Sequence, residues 1–306
     1  MKKVIAIVGP TAVGKTSLSI QLAKRFNGEV ISGDSMQVYR TLDIGTAKVT
    51  PEEMEGVPHH LIDVRDITEG YSAADFQAAA RQKITEIYQR GKLPIIVGGT
   101  GLYIQSLLWD YKLGNENQQE DPTLREKYAA FAEEHGKQAL WEKLAAMDPL
   151  AAEKIHFNNV KKIIRAIEVY QLTGRSILTP KETPELLYDA YLIGLDTDRA
   201  LLYQRINQRV DLMMQQGVLE EAEKLFAFKD QQAAQGIGYK EFFPYFEGNL
   251  SLEQAIEDVK QQSRRYAKRQ LTWFRNRMPV HWFDLVQHPE ETAKIESAIT
   301  EWLEEG

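Results

Sequence analysis

The chain has 306 residues, 43% hydrophobic and 26% charged, and a sequence of this size and composition buries about 75% of its unfolded surface, which excludes disorder as its main state. It contains no cysteine, so a disulfide scaffold, a thiolate nucleophile and Cys-bearing zinc or iron–sulfur centres are excluded. The formal net charge is −7, so a polyanionic partner must be held by a local basic patch.

Val4–Val8 reads as the first strand, and Gly9 and Pro10 cut the apolar run before it could serve as a signal-peptide core. No run approaches the roughly 20 residues of a membrane span. The expectation is an unprocessed, cytoplasmic protein with no membrane partner, monomeric by default. Gly9-Pro10-Thr11-Ala12-Val13-Gly14-Lys15-Thr16 fits G-x-x-x-x-G-K-[ST], after that strand and opening a helix from Lys15 to about Phe26, the context the motif requires. Successive backbone N–H groups and the helix N-terminus cradle phosphate oxygens, Lys15 opposes their charge, and the Thr16 hydroxyl can ligate Mg²⁺. The glycines are expected to keep the ring of amides clear of a Cβ.

A second strand, Glu29–Ser32, runs into Ser32-Gly33-Asp34-Ser35-Met36-Gln37-Val38-Tyr39. Ligands of open α/β sheets bind beyond the carboxyl ends of the strands, so Asp34 shares a rim with the phosphate loop. It reads either as the base that takes a proton from a nucleophile attacking the phosphate-bearing substrate or as a turn residue bonding its own backbone. His59-His60 lacks helical spacing and a cysteine companion, which argues against zinc. A helix from Ala73 to Arg90, with Ser72 as N-cap and Gly91 past its end, leads into a third strand, Leu93–Val97. This is the βαβ rhythm of a parallel sheet. The third strand ends in Gly98-Gly99-Thr100-Gly101 rather than the magnesium-binding Asp of many hydrolytic ATPases, although Asp196 and Asp198 follow another strand. Thr100 can donate to a leaving oxygen, orient an incoming group or cap a helix.

From Lys112 to about Tyr188 strand signals vanish, after a polar linker, Gly114–Glu120. Asp121-Pro122 and Asp148-Pro149 each place a capping acid before a proline at the first helical position, and a further helix runs from about Asn159 to Thr173 with Gly174 as its stop. Lys161, Lys162 and Arg165 form a basic cluster on it, followed by Glu168, while Trp141 and Phe131 read as core. A strand returns at Ala190–Leu195, followed by one long helix from Arg199 to Phe228 and a last strand at Val280–Phe283. Between them, Lys260–Arg277 carries seven basic residues and no acidic one, interleaved with Tyr266, Trp273 and Phe274. Such a strip can hold phosphates by charge while its rings stack on unpaired bases. The expected fold class is α/β: a P-loop NTPase-like parallel sheet flanked by helices, with an inserted all-helical domain. Residues 1–113 and 189–306 form the catalytic core with C-terminal RNA-binding helices, and 114–188 the insertion.

These residues resemble the bacterial tRNA dimethylallyltransferase (tRNA isopentenyltransferase, IPP transferase) family over nearly the whole chain. The resemblance is carried by the loop Gly9–Thr16, Asp34–Tyr39, Asp43-Ile44-Gly45-Thr46-Ala47-Lys48 and Pro58–Asp63. It continues through Gly98–Tyr103, Arg165–Val169, Gly236-Ile237-Gly238-Tyr239-Lys240-Glu241 and Tyr266–Gln270, in that order and spacing. It implies transfer of a dimethylallyl group from dimethylallyl diphosphate to N6 of adenosine 37 in the tRNA anticodon stem-loop, with the loop holding the prenyl diphosphate rather than ATP. Lys15 and a Mg²⁺ ion near Thr16 would then offset charge on the departing diphosphate, Asp34 would accept the N6 proton, Thr100 would contact the reacting region, and Arg209 would clamp the diphosphate, with Arg205 on the same helix face. Adenosine 37 would have to be extruded from its stack. Ser35, Met36 and Gln37 would lie near it, and Lys161, Lys162 and Arg165 with Arg264, Arg265, Lys268 and Arg269 would hold the RNA. The chain departs from the family in having His156-Phe157-Asn158-Asn159 for His-Pro-x-Asp, Lys162 for an arginine, Thr41 for a glycine and Ser263 for a threonine. The rivals are a P-loop small-molecule kinase, a free-nucleotide (AMP or ADP) isopentenyltransferase and a noncatalytic RNA-binding GTPase-like module.

Overall fold

The computed structural model describes residues 1–111, 113, 121–178 and 184–305; the polar stretch Gly114–Glu120 lies outside them. The chain divides into two compact units, residues 1–111 with 186–306, and residues 112–185.

The larger unit begins with β1 (Lys3–Val8), α1 (Lys15–Arg25), β2 (Gly28–Ser32), α2 (Pro51–Met54), β3 (His59–His60), α3 (Ala73–Gln89), β4 (Leu93–Gly98) and α4 (Gly101–Leu108). The smaller unit holds α5 (Pro122–Met147), α6 (Pro149–Lys154) and α7 (Val160–Thr173). The larger unit resumes with β5 (Asp189–Leu195), α8 (Arg199–Gln216), α9 (Val218–Phe226), α10 (Phe243–Phe246), α11 (Leu252–Arg277), β6 (His281–Phe283) and α12 (Glu291–Glu304).

The six strands form one parallel sheet in the order β3-β2-β4-β1-β5-β6, with β1 central and Ile5 opposite both Ile95 and Tyr191. The two-residue period of β1 sends Val4, Ala6 and Val8 into one apolar layer and Ile5 and Ile7 into the other, so helices cover both faces. All five strands β1 to β5 run toward the same rim, where the glycine-rich loop, the Asp34 turn and the start of α4 follow them.

The helix starts obey local chemistry. Ser72 and Asp75 form a capping box on α3, Ser251 and Gln254 do so on α11, and Asp121 and Asp148 cap α5 and α6 ahead of prolines. The expected single helix from Arg199 to Phe228 is two, because Gly217 takes φ +99° and ends α8 before α9 begins. Residues 186–188 belong to the sheet unit rather than the insertion, as Leu187 donates its N–H to the Leu108 carbonyl and Trp109 bridges to Leu186. The smaller unit has its own core around Leu140, Leu144, Ile163 and Ile167, and α5 bends at Gly136, whose φ is +86°. Trp141 packs there as expected, donating its indole N–H to Ile155 O at 2.8 Å. Phe131 packs partly buried against the same core.

Candidate active site

The loop between β1 and α1 enters the helix through Gly14, left-handed at φ +92°, so backbone N–H groups at the start of α1 face the rim. The two loop glycines serve different ends from the one anticipated. A Cβ on Gly9, at φ +139°, would overlap the Leu195 carbonyl of β5, whereas one on Gly14 would meet nothing within 4 Å. Gly9 is therefore required by strand packing, and Gly14 by its left-handed backbone. Between them lie Pro10, Thr11, the left-handed Ala12 and the buried Val13. Arg205 reaches across from α8 to donate its Nε–H to Ala12 O at 2.8 Å.

A cavity of about 730 Å³ opens over this loop, lined by Lys15, Thr16, Asp34, Gln37, Arg209 and Tyr266 among others. Lys15 folds back to donate to the Pro10 carbonyl. Its burial, with the Arg209 guanidinium second, holds the ammonium pKa down at about 7, against the raising effect of Asp34. Burial likewise lowers Arg209 from the usual guanidinium value, with Asp34 and Glu53 opposing. Two cations held at a shared cost, with no carboxylate ion-paired to either among the described residues, make a receptor for a polyanion.

The structure shows the turn, one of the two readings of Asp34. Its Oδ1 accepts the N–H groups of Met36 at 2.8 Å and Gln37 at 3.3 Å, an Asx turn, while the residue lines the same cavity as Lys15 and Arg209. Thr100 sits at the N-cap position of α4, yet its side chain makes no cap hydrogen bond. Instead Thr100 Oγ1 accepts the Ser35 N–H at 3.2 Å and lies 3.3 Å from Ser35 Oγ, tying the end of β4 to the Asp34 turn. Tyr266 and Gln270, the two ends of the family run 266–270, also line this region. The Tyr266 hydroxyl is pushed up to about 12 by burial and then by Asp34, with Thr100 and Gln270 acting to lower it, and the buried Gln270 donates to Gly99 O at 3.0 Å. In sequence Tyr266 stands out as a ring in the basic strip and as the first residue of the family run 266–270.

The glycines after β4 are there for room. A Cβ on Gly98 would overlap the Gly33 backbone, one on Gly99 the Gln270 amide, and one on Gly101 the Trp273 ring. The acids after β5 have other partners: Asp196 pairs with Arg275 and Asp198 caps α8. Thr16 is exposed at the first turn of α1, and its hydroxyl is a hard oxygen donor of the kind Mg²⁺ takes together with phosphate oxygens. The described residues hold no cluster of three or more acidic or histidine side chains that would bind a metal by themselves.

The basic strip lies on α11 and divides by partner. Lys260 pairs with Asp211, Arg264 with Glu257 and Asn207, and Arg275 with Asp196. Arg269 lies 5.6 Å from the Tyr266 ring centroid and Arg277 4.2 Å from that of Trp273. Arg265, Lys268, Arg269 and Arg277 line a second, open concavity of about 800 Å³ with Trp273. In the smaller unit, Lys161 and Lys162 are exposed on α7. Arg165 is committed to the buried Glu168, which also takes Arg125 Nε–H at 2.9 Å.

A parallel sheet whose first strand and helix are joined by a glycine loop, with an acid turn and two cations over the same cavity, defines an α/β protein with a P-loop-like fold. A model of the IPP transferase family matches residues 37–277. A relative from Enterococcus faecalis named tRNA dimethylallyltransferase is 68% identical over 305 residues, covering 100% of this chain and 99% of its own. The crystal structure of a tRNA isopentenylpyrophosphate transferase from Bacillus halodurans superposes with TM-score 0.76 at 51% identity, covering 100% and 98% of the two chains. A eukaryotic dimethylallyltransferase, solved acting on tRNA, superposes with TM-score 0.84 at 34% identity over 98% of this chain and 79% of its own. The chain belongs to the IPP transferase family.

Proposed function

We propose that the protein transfers a dimethylallyl group from dimethylallyl diphosphate to N6 of adenosine 37 in the tRNA anticodon stem-loop, releasing diphosphate. The observation that carries this reading is the sharing of one cavity by a polyanion receptor, Lys15 and Arg209 over the glycine loop, and a carboxylate, Asp34. A P-loop small-molecule kinase can share both features, but it has no use for the basic strip with its aromatic rings on α11. The name of the relative at 68% identity and those of the solved neighbours support the same chemistry.

In this mechanism the loop N–H groups, Lys15 and Arg209 hold the diphosphate. The bond between the prenyl C1 and the diphosphate oxygen breaks, and the diphosphate departs with the electron pair. The N6 lone pair forms the new bond to C1, and the N6 proton passes to the Asp34 oxygen not used in the Asx turn. Thr100 and Ser35 fix that turn against the end of β4. Thr16 would hold Mg²⁺, which when bound adds positive charge against the leaving diphosphate. The exposed cations Arg265, Lys268 and Arg269 on α11, and Lys161 and Lys162 on α7, supply phosphate contacts. Their binding energy offsets the few kcal/mol needed to unstack a nucleotide.

Purified protein with labelled dimethylallyl diphosphate, Mg²⁺ and unmodified tRNA is expected to label the tRNA. Asp34→Asn keeps an oxygen for the turn but loses the base. It is expected to lower turnover by about 10²- to 10⁴-fold, the range of general-base catalysis, with diphosphate binding retained. Label appearing in AMP, or ATP consumed with a small acceptor while prenyl donors are ignored, would overturn the reading.

A further inference from the structure

The segment 43–47 forms one wall of the cavity through Gly45, Thr46 and Ala47, and it is held from outside the cavity by a single carboxylate. Glu221, on α9, accepts the N–H groups of Asp43 at 3.0 Å and Ile44 at 3.1 Å on Oε2. Its Oε1 accepts the N–H of Gly45 at 3.0 Å and the hydroxyl of Tyr239. Three successive backbone N–H groups make an anion-binding concavity, and here its occupant is the protein's own side chain. Tyr239 is fully buried, and its ring sits where a Cβ on Gly45 would fall, so the wall is fixed by both polarity and shape.

The clamp reaches the Asp34 turn in two steps. The carbonyls of Thr46 and Ala47 accept from Gln37 Nε2 at 3.3 and 3.4 Å, and Gln37 Oε1 accepts from Ser32 Oγ at 3.0 Å. Gln37 in turn supplies one of the two N–H groups that Asp34 Oδ1 accepts. The carboxamide is thereby held at both ends, and the turn bearing Asp34 is tied to a wall whose position Glu221 sets.

We propose that Glu221 is a positioning residue for the acceptor side of the reaction, acting through the 43–47 wall and Gln37 on the Asp34 turn. This rests on the function read above. The phosphate loop has no part in the chain of bonds, so donor binding and acceptor alkylation separate. Four donors converge on this carboxylate, and an amide in its place would turn an NH₂ group toward them.

Glu221→Gln is expected to lower kcat with tRNA by about 10- to 100-fold, the scale of a reacting group displaced by an ångström, while dimethylallyl diphosphate affinity stays within about two-fold. In a double-mutant cycle with Gln37→Leu the two losses are expected to be non-additive, because one acts through the other. Hydrogen exchange at the amides of residues 43–45 is expected to lose protection. If Glu221→Gln fails to fold, the same cycle on Tyr239→Phe, which keeps the three amide contacts, decides the matter. Turnover within two-fold of the parent, donor affinity lost in parallel, or fully additive losses would overturn the proposal. A parent protein that leaves tRNA unlabelled overturns the assigned reaction and not the clamp, which the amide exchange reads by itself.

Discussion

Lys15 carries a pH dependence that follows from its surroundings. In the donor-free protein burial, then Arg209, holds its pKa at about 7, below the ordinary 10.5. Between those two values the folded state gives up the proton before the unfolded state does, so this group's destabilising effect is full below pH 7 and is relieved as pH rises through 7 toward 10.5. A diphosphate against the ammonium raises its pKa again. Above pH 7 donor binding must therefore take up a proton, and affinity falls with rising pH by up to one decade per unit. Calorimetry at pH 8 in buffers of different ionisation enthalpy is expected to show uptake approaching one proton, absent in Lys15→Met; equal uptake in both proteins would refute it. Thr41 makes the second prediction at this scale. It stands where the family commonly has glycine, and its φ is +67°, a left-handed backbone that is costly for a β-branched residue. Thr41→Gly is expected to stabilise by about 1 kcal/mol, read as a rise of roughly 2 °C in melting temperature. Lys15, Asp34 and Thr41 were all marked by motif or by comparison with the family pattern. Glu221 was not, because its partners lie 176 to 178 residues away in the chain and nothing local distinguishes it from a solvated helix acid.

Among the elements, those with strong local signals were legible: β1, β2, β4 and β5 from apolar runs, and the starts of α3, α5 and α6 from their caps. α1, α7 and β6 were legible too, from the glycine loop, the Gly174 stop and the short run 280–283, whereas β3 depends on tertiary context. β3 is two histidines with no periodicity, and it exists because it pairs with β2 and because His60 Nε2 meets Glu29 Oε2 at 2.7 Å. Glu29, 3% exposed within β2, also pairs with Arg90 and Lys92. Burial works to raise its pKa, but the bonds from Arg90, His60 and Lys92 prevail and bring it down to about 2. Its folded pKa lies below the ordinary 4.5, so its contribution is complete above 4.5 and disappears as pH falls toward 2. Glu29→Gln is expected to cost roughly 2 kcal/mol at pH 7, the scale of a charge-assisted bond to a buried carboxylate, and to flatten the acid limb of a stability–pH curve. An unchanged acid limb would count against this account. The break at Gly217 escaped notice for a different reason: a lone glycine inside a helical pattern is tolerated often enough that its sequence alone does not mark an end.

Over the whole molecule, a chain of net charge −7 still presents exposed cations in selected places. The basic strip was visible in sequence, but not which of its charges are already spent, since Asp196, Asp211 and Glu257 come from other stretches or an earlier turn. This separates two classes of variant. Arg265→Gln and Lys268→Gln are expected to weaken tRNA binding for all sequences alike and to reduce the slope of log affinity against log salt by about 1 each. Arg275→Gln is expected to lower stability, by exposing Asp196, with the salt slope unchanged. Titrations between 50 and 200 mM salt distinguish them, and equal slopes for all three would remove the distinction drawn from their partners.

The crowding after β4 also bears on how such a protein can change over evolutionary time. The place where a nucleotide hydrolase would carry an acid for its metal is occupied by Gly98 and Gly99, pressed against the Gly33 backbone and the Gln270 amide. An aspartate at position 98 would have to part β2 from β4, where backbone meets backbone, whereas one at position 99 would have to turn the Gln270 side chain aside. Drift from this chemistry toward energy-consuming turnover through position 98 thus requires accompanying replacements that make room beside the Gly33 backbone.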